Sequence, residues 1–327
     1  MKTILTGIQP TNALHIGNYF GALLPMVELQ EQSNLYMMIV DYHAITATQD
    51  PAALRKNILF NAAAYIAAGI DPEKATLFQQ SQVLEHTELG WIMQTQTHMG
   101  EAQRMTQFKD KSKGDLNGVS IGLFTYPALM AADMLLYDTE EVPVGADQKQ
   151  HLELTRDLAE RFNKRFGDTF VVPKPRIKTA GARILALNDP EKKMSKSSPS
   201  AKSYISLMDD ADVIAKKIRS AVTDSERTIT ADPERKGLYN LLTICSLASG
   251  ESIEVIADRY KDAGMAGIKE ATTEALVAHL APVQMRIQEL LQNEDELIKI
   301  IKDGSRKAEQ RAQEKMKQVR KAIGVAL

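Results

Sequence analysis

The run KKMSKSSPSAK at positions 192–202 gathers four lysines and four serines around one methionine. Lys193 and Lys196 are compact charges on flexible stems that can follow a moving phosphate chain, which a fixed bidentate arginine would do less well. Ser195 and Ser197 add small donors. The same composition also suits a solvated linker. A second candidate is the stretch Gly7-Ile8-Gln9-Pro10-Thr11-Asn12-Ala13-Leu14-His15-Ile16-Gly17-Asn18. It reads as a loop feeding a helix, whose N-terminal amides and dipole favour anions. His15 and Asn18 can donate hydrogen bonds there, and Gly17 can let a flat ring approach the backbone, although a lone loop histidine is more often structural.

A third candidate is Asp133, a carboxylate inside the apolar run from Leu129 to Leu136. When ionised it only accepts hydrogen bonds, so burying it demands a donor from the protein or from a ligand. A helix that starts at Tyr126, with Pro127 in its first turn, puts Tyr126, Met130 and Asp133 at i, i+4 and i+7 on one face.

These groups need a frame. Thr3-Ile4-Leu5-Thr6 is short and β-rich, Leu35–Val40 is a continuous apolar run suited to a buried parallel strand, and Ala75–Phe78 and Val142-Pro143-Val144 read as two more. Helical spacing follows: from Gly17 towards Leu29, from Pro51 to about Ala68, over Glu85–Thr97, from Tyr126 to about Tyr137 and over Gln148–Phe166. The polar stretch from Arg104 to Gly114, with Lys109, Lys111 and Lys113, reads as a loop. This alternation predicts an α/β domain over residues 1–186, a Rossmann-like doubly wound parallel sheet with right-handed crossovers. Beyond Lys202 strand signals nearly vanish. Helical patterns at 209–221, 235–249, 251–262, 271–291 and 294–322 predict a second, all-helical domain over 187–327, whose last helix, about 295–327, can pack back on the first domain. Residues 302–327 carry eight basic and three acidic side chains, a local excess of positive charge.

The whole chain, at 327 residues, is long for a single core, and its formal charge of −2 provides no global basic field. Nucleic-acid contact must therefore come from local patches. A single cysteine, Cys245, excludes an internal disulfide framework, and six scattered histidines show no metal-ligand spacing, so no protein-held metal is expected. The N-terminal MKTILTGIQP reaches Pro10 before an export-type apolar stretch of adequate length, and no long apolar run occurs. The expected location is the cytoplasm. Neither G-x-x-x-x-G-K-[ST] nor G-x-G-x-x-G is present, so any bound phosphate must be held in another way.

The His15-Ile16-Gly17-Asn18 loop after the first strand and the distant Lys193-Met194-Ser195-Lys196-Ser197 together resemble the two signature motifs of class I aminoacyl-tRNA synthetases. Gly7-Ile8-Gln9-Pro10-Thr11, Gly145-Ala146-Asp147-Gln148, the block Leu154–Asn163 and Ala221-Val222-Thr223-Asp224-Ser225 are similar to the bacterial tryptophanyl branch, over essentially the full length. Asn18 stands where the general motif has a second histidine, and asparagine is usual in the tryptophan branch. By the same resemblance, tyrosyl enzymes carry a tyrosine two residues before the first-strand glycine; here that position is Leu5.

The resemblance implies a ligase that activates L-tryptophan with ATP and Mg²⁺ and passes it to tRNA(Trp). It implies a homodimer joined through the α/β domain, and a helical domain that reads the anticodon. It assigns Lys193, Lys196, His15, Asn18 and Lys111 to catalysis on the phosphates. ATP would lie against Gln9, Pro10, Thr11 and Gly17, against Gly145, Ala146 and Asp147, and against Ile184, Met194, Ser195 and Ser197. Asp133 would read the indole nitrogen, Tyr126, Gln148 and Gln9 the amino-acid head group, with Met130, Val142, Val144, Leu5 and His43 as further wall. Two other readings stay open at this stage: a nucleotidyltransferase of the same fold acting on another small acid, and a non-catalytic RNA-binding paralogue.

Overall fold

The computed structural model describes residues 1–11, 14–112, 119–145, 148–177, 183–195, 198 and 200–327, with the backbone alone at 110–112 and 177. Five strands, β1 (Lys2–Ile8), β2 (Ser33–Ile39), β3 (Thr76–Gln79), β4 (Glu141–Val144) and β5 (Lys174–Ile177), form one sheet in the order β3-β2-β1-β4-β5. Every adjacent pair is parallel. The chain starts in the middle, builds outward through β2 and β3, then returns to the other side of β1. That reversal places a crevice at the carboxyl ends of β1 and β4, where open α/β sheets bind ligands.

Strand residues alternate between two cores, the pattern of a sheet covered on both faces. Ile4, Leu35, Met37, Ile39 and Leu77 face one side, where the helical segment α1 (16–29, with a π-helical stretch Tyr19–Leu23) and α2 (Pro51–Ala67) contribute Leu23, Met26, Leu59 and Ala63. Leu5, Tyr36, Met38 and Phe78 face the other. There they meet Leu89, Met93, Ala131, Leu135 and Phe162 from α3 (Glu85–Gln96), α4 (Ile121–Leu135) and α5 (Lys149–Phe166). The first core continues without a break into the helical region through Leu187, Ile205, Leu207, Leu241 and Ile287. A smaller cluster around Leu238, Leu242, Ile256 and Ile268 lies beyond it.

Two long helices follow, α6 (Gly264–Gln292) and α7 (Glu294–Ile323). α7 runs past the edge strand β3 and serves both cores: Leu297 and Ile301 enter the first, Ala308, Ala312, Met316 and Val319 the second. At the crossing it has no room for a side chain, since a Cβ on Gly304 would stand 1.8 Å from the Leu77 carbonyl oxygen. Its basic surplus is partly spent on docking. Lys315, 4% exposed, reaches the Asp138 carboxylate at 2.6 Å, Arg311 binds the same carboxylate, and Arg320 binds Glu88 at 2.7 Å.

Several elements depart from the sequence expectation. The stretch read as a loop from Arg104 holds two short helices, Met99–Arg104 and Thr106–Ser112. Burial of Met105 and the packing of Phe108 on Phe124, ring centroids 5.0 Å apart, outweigh its polar composition. α4 begins at Ile121 and not at Tyr126, with Ser120 as N-cap accepting from the Leu123 amide at 3.2 Å. Pro127 is therefore interior and leaves the Leu123 carbonyl without its helical donor. β5 went unanticipated because Lys174-Pro175-Arg176 hides the strand pattern, a composition an edge strand tolerates. The lysine run opens inside a hairpin, Leu185–Ala186 against Asp189–Lys193. Asn240 replaces a third strand there by bonding both polar groups of the Leu185 backbone, at 2.8 and 3.1 Å.

Candidate active site

A cleft of about 400 Å³ opens at the carboxyl ends of β1 and β4. Leu5, Thr6, Gly7 and Gln9 come from the first strand and its loop, Val142, Pro143 and Val144 from the fourth, and Tyr126, Met130 and Asp133 from one face of α4. The i, i+4, i+7 relation survives the earlier helix start, because it depends only on helical periodicity. His43, from the single turn Asp41–Ala44 after β2, and Gln148, at the start of α5, complete the lining. Every residue assigned by resemblance to the amino acid thus falls on this one cleft.

Asp133 is 2% exposed. Its two carboxylate oxygens are filled by the protein. Oδ2 accepts from His43 Nε2 at 2.8 Å, Oδ1 accepts from His86 Nδ1 at 2.6 Å, and the Gln80 amide donates to both, at 2.8 and 3.0 Å. Burial opposes the charge, but hydrogen bonds from His43 and His86 overcome it and hold the carboxyl well below the usual carboxylate range. A carboxylate favoured in its ionised form therefore lines a cleft whose walls mix apolar side chains with polar ones. Tyr126 faces His43 edge-on, ring centroids 5.9 Å apart, and its hydroxyl lies 2.6 Å from His151 Nε2. Burial pushes the Tyr126 hydroxyl up to about 12, so it remains a neutral group at physiological pH.

The two signature loops meet each other, with Leu14, Ile16 and Met194 in the first core. Met194 is buried, its amide bonded to the Ile184 carbonyl at 3.0 Å, and its Cβ lies 3.7 Å from where a Cβ on Gly17 would stand. The same added Cβ would come within 2.9 Å of the His15 ring, so a side chain at 17 would force that ring to shift. Asn18 Oδ1 accepts the His15 amide at 3.3 Å and closes the first turn of α1. The chain beyond the lysine run then lies antiparallel along the histidine loop: the Ile16 amide bonds the Ile205 carbonyl at 3.0 Å, and the Leu207 amide the Leu14 carbonyl at 2.8 Å. Lys193 and Ser195 are exposed on the adjoining surface.

Pro10 is buried and Thr11 half-buried at the end of β1, and the Gln9 amide donates to the His43 carbonyl at 3.4 Å, which links this loop to the cleft. Gly145 follows β4, and its carbonyl accepts the Gln148 amide at 3.0 Å. Ala146, Asp147, Lys196, Ser197 and the Lys111 side chain lie outside the described residues. Lys109 is exposed on the helix Thr106–Ser112.

Sequence reasoning missed Gln80, His86, Tyr137 and His151. The signal for the first two was present: a carboxylate buried in an apolar helix requires donors, and Gln80 and His86 both follow the third strand at the end of the sheet that holds the crevice. His151 follows Gln148 by three positions on α5, so the two share a face.

Among the described residues no group of three or more His, Cys, Asp or Glu side chains is placed to hold a metal ion. No described helix is long and apolar enough to cross a membrane.

Residues 1–281 match the model of a family described as tRNA synthetases class I (W and Y). The chain is 53% identical over 325 residues to a tryptophan–tRNA ligase of Halalkalibacterium halodurans, covering 99% of this chain and 98% of that protein. It is similar to the crystal structure of a tryptophanyl-tRNA synthetase from Mycoplasma pneumoniae, with a TM-score of 0.89, 38% identity and coverage of 100% and 98%. It is also similar to that of the Campylobacter jejuni enzyme complexed with ADP and tryptophan, with a TM-score of 0.87, 39% identity and coverage of 98% and 99%.

Proposed function

This chain belongs to the class I tRNA synthetase family of the tryptophan and tyrosine enzymes, and from that premise we infer that it activates L-tryptophan with ATP and transfers it to tRNA(Trp). It is an ATP-dependent ligase. In the first step a tryptophan carboxylate oxygen attacks the α-phosphorus of ATP in line, giving tryptophanyl-adenylate and pyrophosphate. In the second a terminal ribose hydroxyl of the tRNA takes the aminoacyl group and AMP leaves. Neither step needs a covalent enzyme intermediate, so positioning and charge neutralisation carry the catalysis.

The observation that carries the specificity is Asp133, a buried carboxylate lining a cleft that also presents Leu5, Met130, Val142 and Val144. An indole N–H is donor-only and meets an acceptor-only group. Of the three donors to Asp133, His43 alone lines the cleft, so the indole nitrogen reaches Oδ2 by taking the place of the His43 Nε2 proton. Leu5, Met130, Val142 and Val144 offer apolar surface to the ring. Tyr126, Gln148 and Gln9 hold the amino and carboxylate groups at the mouth, towards the signature loops.

ATP lies between those loops in this reading, against Gln9, Pro10, Thr11, Gly17, Gly145, Ala146, Asp147 and Ile184. Lys193, Ser195, Lys196 and Ser197 close on its phosphates from a hinge anchored by Met194. His15 and Asn18 hold the phosphates from below, and Lys111 reaches the pyrophosphate end. Mg²⁺ arriving with ATP would be held by phosphate oxygens and water. Residues 187–327 form the anticodon-reading domain.

The enzyme acts in the cytoplasm as a homodimer. Trp91, Met99 and Ile121 are 67%, 66% and 79% exposed on the α/β domain, and Trp91 and Met99 edge a hollow formed with Phe124 and Pro127, a surface suited to a second copy. A monomer in sedimentation would refute the dimer. Exchange of labelled pyrophosphate into ATP tests the activity itself: it should depend on tryptophan, and exchange with tyrosine alone, or with no amino acid tried, would overturn the reading.

A further inference from the structure

Behind the cleft, out of reach of any ligand in it, lies a buried relay. His86 is 0% exposed and bridges Asp133 to Tyr137: Nδ1 stands 2.6 Å from Asp133 Oδ1, and Nε2 2.7 Å from the Tyr137 hydroxyl. The carboxylate can only accept, so Nδ1 carries a proton towards it, and Nε2 pairs with the Tyr137 hydroxyl. Burial first, and then the Asp133 charge, push the Tyr137 hydroxyl well above its ordinary value, which keeps it a donor. Both ring nitrogens are thereby paired within the protein. The imidazole is also fixed in orientation, between the Phe78 ring at 6.1 Å and the Tyr137 ring at 5.6 Å, while Tyr137 stacks on Tyr36 at 4.7 Å.

Neither the chemistry of adenylation nor the cleft lining uses this histidine. Yet it makes the shortest of the contacts to the one carboxylate that the cleft exposes to an indole. We propose that His86, oriented by Tyr137, is a positioning residue for tryptophan: it holds the Asp133 carboxylate turned so that Oδ2 presents to the indole N–H. The role rests on the reading of Asp133 given above. When His43 yields its place to the substrate, His86 and Gln80 are the donors left to hold the carboxylate. A carboxylate without the His86 bond could rotate or protonate, and either change spoils the acceptor without touching ATP.

Paired amide substitutions test this. His86→Asn places an amide nitrogen near the position of Nδ1 and can keep the bond to Asp133, whereas His86→Gln places it near Nε2 and loses that bond. In tryptophan-dependent pyrophosphate exchange by the full-length enzyme, His86→Gln should raise KM for tryptophan about tenfold or more, the cost of an unmade bond to a buried charge, and leave KM for ATP unchanged within about twofold. His86→Asn should recover most of that loss. Tyr137→Phe, which deletes one hydroxyl, should raise the tryptophan KM in the same direction and serves where His86→Gln does not fold. Equal behaviour of the Asn and Gln variants, parallel changes in both KM values, or an unresponsive Tyr137→Phe would each overturn the proposal. Asp133→Ala assayed alongside separates the two claims. If it leaves discrimination against phenylalanine intact, the reading of Asp133 falls; if it relaxes discrimination while His86→Gln has no effect, only the role of His86 falls.

Discussion

His43 Nε2 donates to Asp133 Oδ2 across 2.8 Å, on the side of the carboxylate that borders the cleft, while Gln80 and His86 donate from behind and are fully buried. The free enzyme thus keeps an N–H where, in the proposed function, the substrate brings its own. A ligand with an N–H can exchange for it at little net cost, since one charge-assisted bond replaces another. A ligand without one that displaces His43 leaves a buried acceptor short of a donor.

Phenylalanine is such a ligand. Asp133→Ala should therefore lower the tryptophan-to-phenylalanine ratio of kcat/KM by about 10²-fold or more, because sites built to bond a substrate donor reject analogues that lack it. The substitution also strands His43, Gln80 and His86, so the folded fraction will fall. A ratio of two substrates on one preparation cancels that loss. An unchanged ratio would remove Asp133 from the specificity role.

Lys193 ends the hairpin strand beside Met194, whose Cβ lies close to Gly17. In the proposed function a charge carried there meets phosphate and not the amino-acid ring. Lys193→Ala should lower single-turnover adenylate formation by about 10²–10³-fold, the usual cost of losing one donor aimed at developing charge. Tryptophan affinity, measured by fluorescence titration without ATP, should stay nearly the same. A selective loss of tryptophan binding would contradict the assignment.

Much of this was legible in the sequence, for identifiable reasons. Strands buried on both faces write themselves as apolar runs, so β2 and β3 could be located from Leu35–Val40 and Ala75–Phe78, and helical periodicity put Tyr126, Met130 and Asp133 together even with the helix start misplaced. What could not be read depends on partners far along the chain. The helices after Met99 exist because Phe108 meets Phe124, and the hairpin before Met194 is completed by Asn240. The donors to Asp133 come from positions 43, 80 and 86, a closure that only the sheet order explains.

Glu101 offers a pH test of one such long-range contact. Hydrogen bonds from Arg161, at 3.0 Å for Nη1, act against partial burial and, with the His98 amide, hold its carboxyl below the ordinary value. A depressed carboxyl contributes stability that is fully present above its unfolded value and is lost as pH falls through its folded value. Glu101→Gln should lower Tm by on the order of 1–2 °C near neutrality, a modest effect for a partly exposed pair. The deficit should shrink on acidification below the unfolded glutamate range until the two melting curves coincide. A deficit independent of pH would mean that the ion pair is not its cause.

Gly304 sets two effects of opposite sign against each other. It lies in the middle of α7, where replacing glycine by alanine ordinarily stabilises a helix by up to about 1 kcal/mol. Here the new methyl would stand 1.8 Å from the Leu77 carbonyl oxygen and 2.8 Å from its carbon, both backbone atoms of a strand in the sheet. Neither can swing aside as a side-chain end would. The helix must lift, and lifting it loosens Leu297 and Ile301 on one face of the sheet and Ala308 and Ala312 on the other, as well as the bond from the Gln79 amide to Ser305 Oγ at 3.3 Å. Overpacking of this kind costs about 1–3 kcal/mol. Gly304→Ala should thus destabilise the protein in urea, against its helix propensity, whereas a glycine-to-alanine exchange at an open helical position would stabilise. A midpoint equal to or above that of the parent would show that α7 does not press on β3 as the geometry requires.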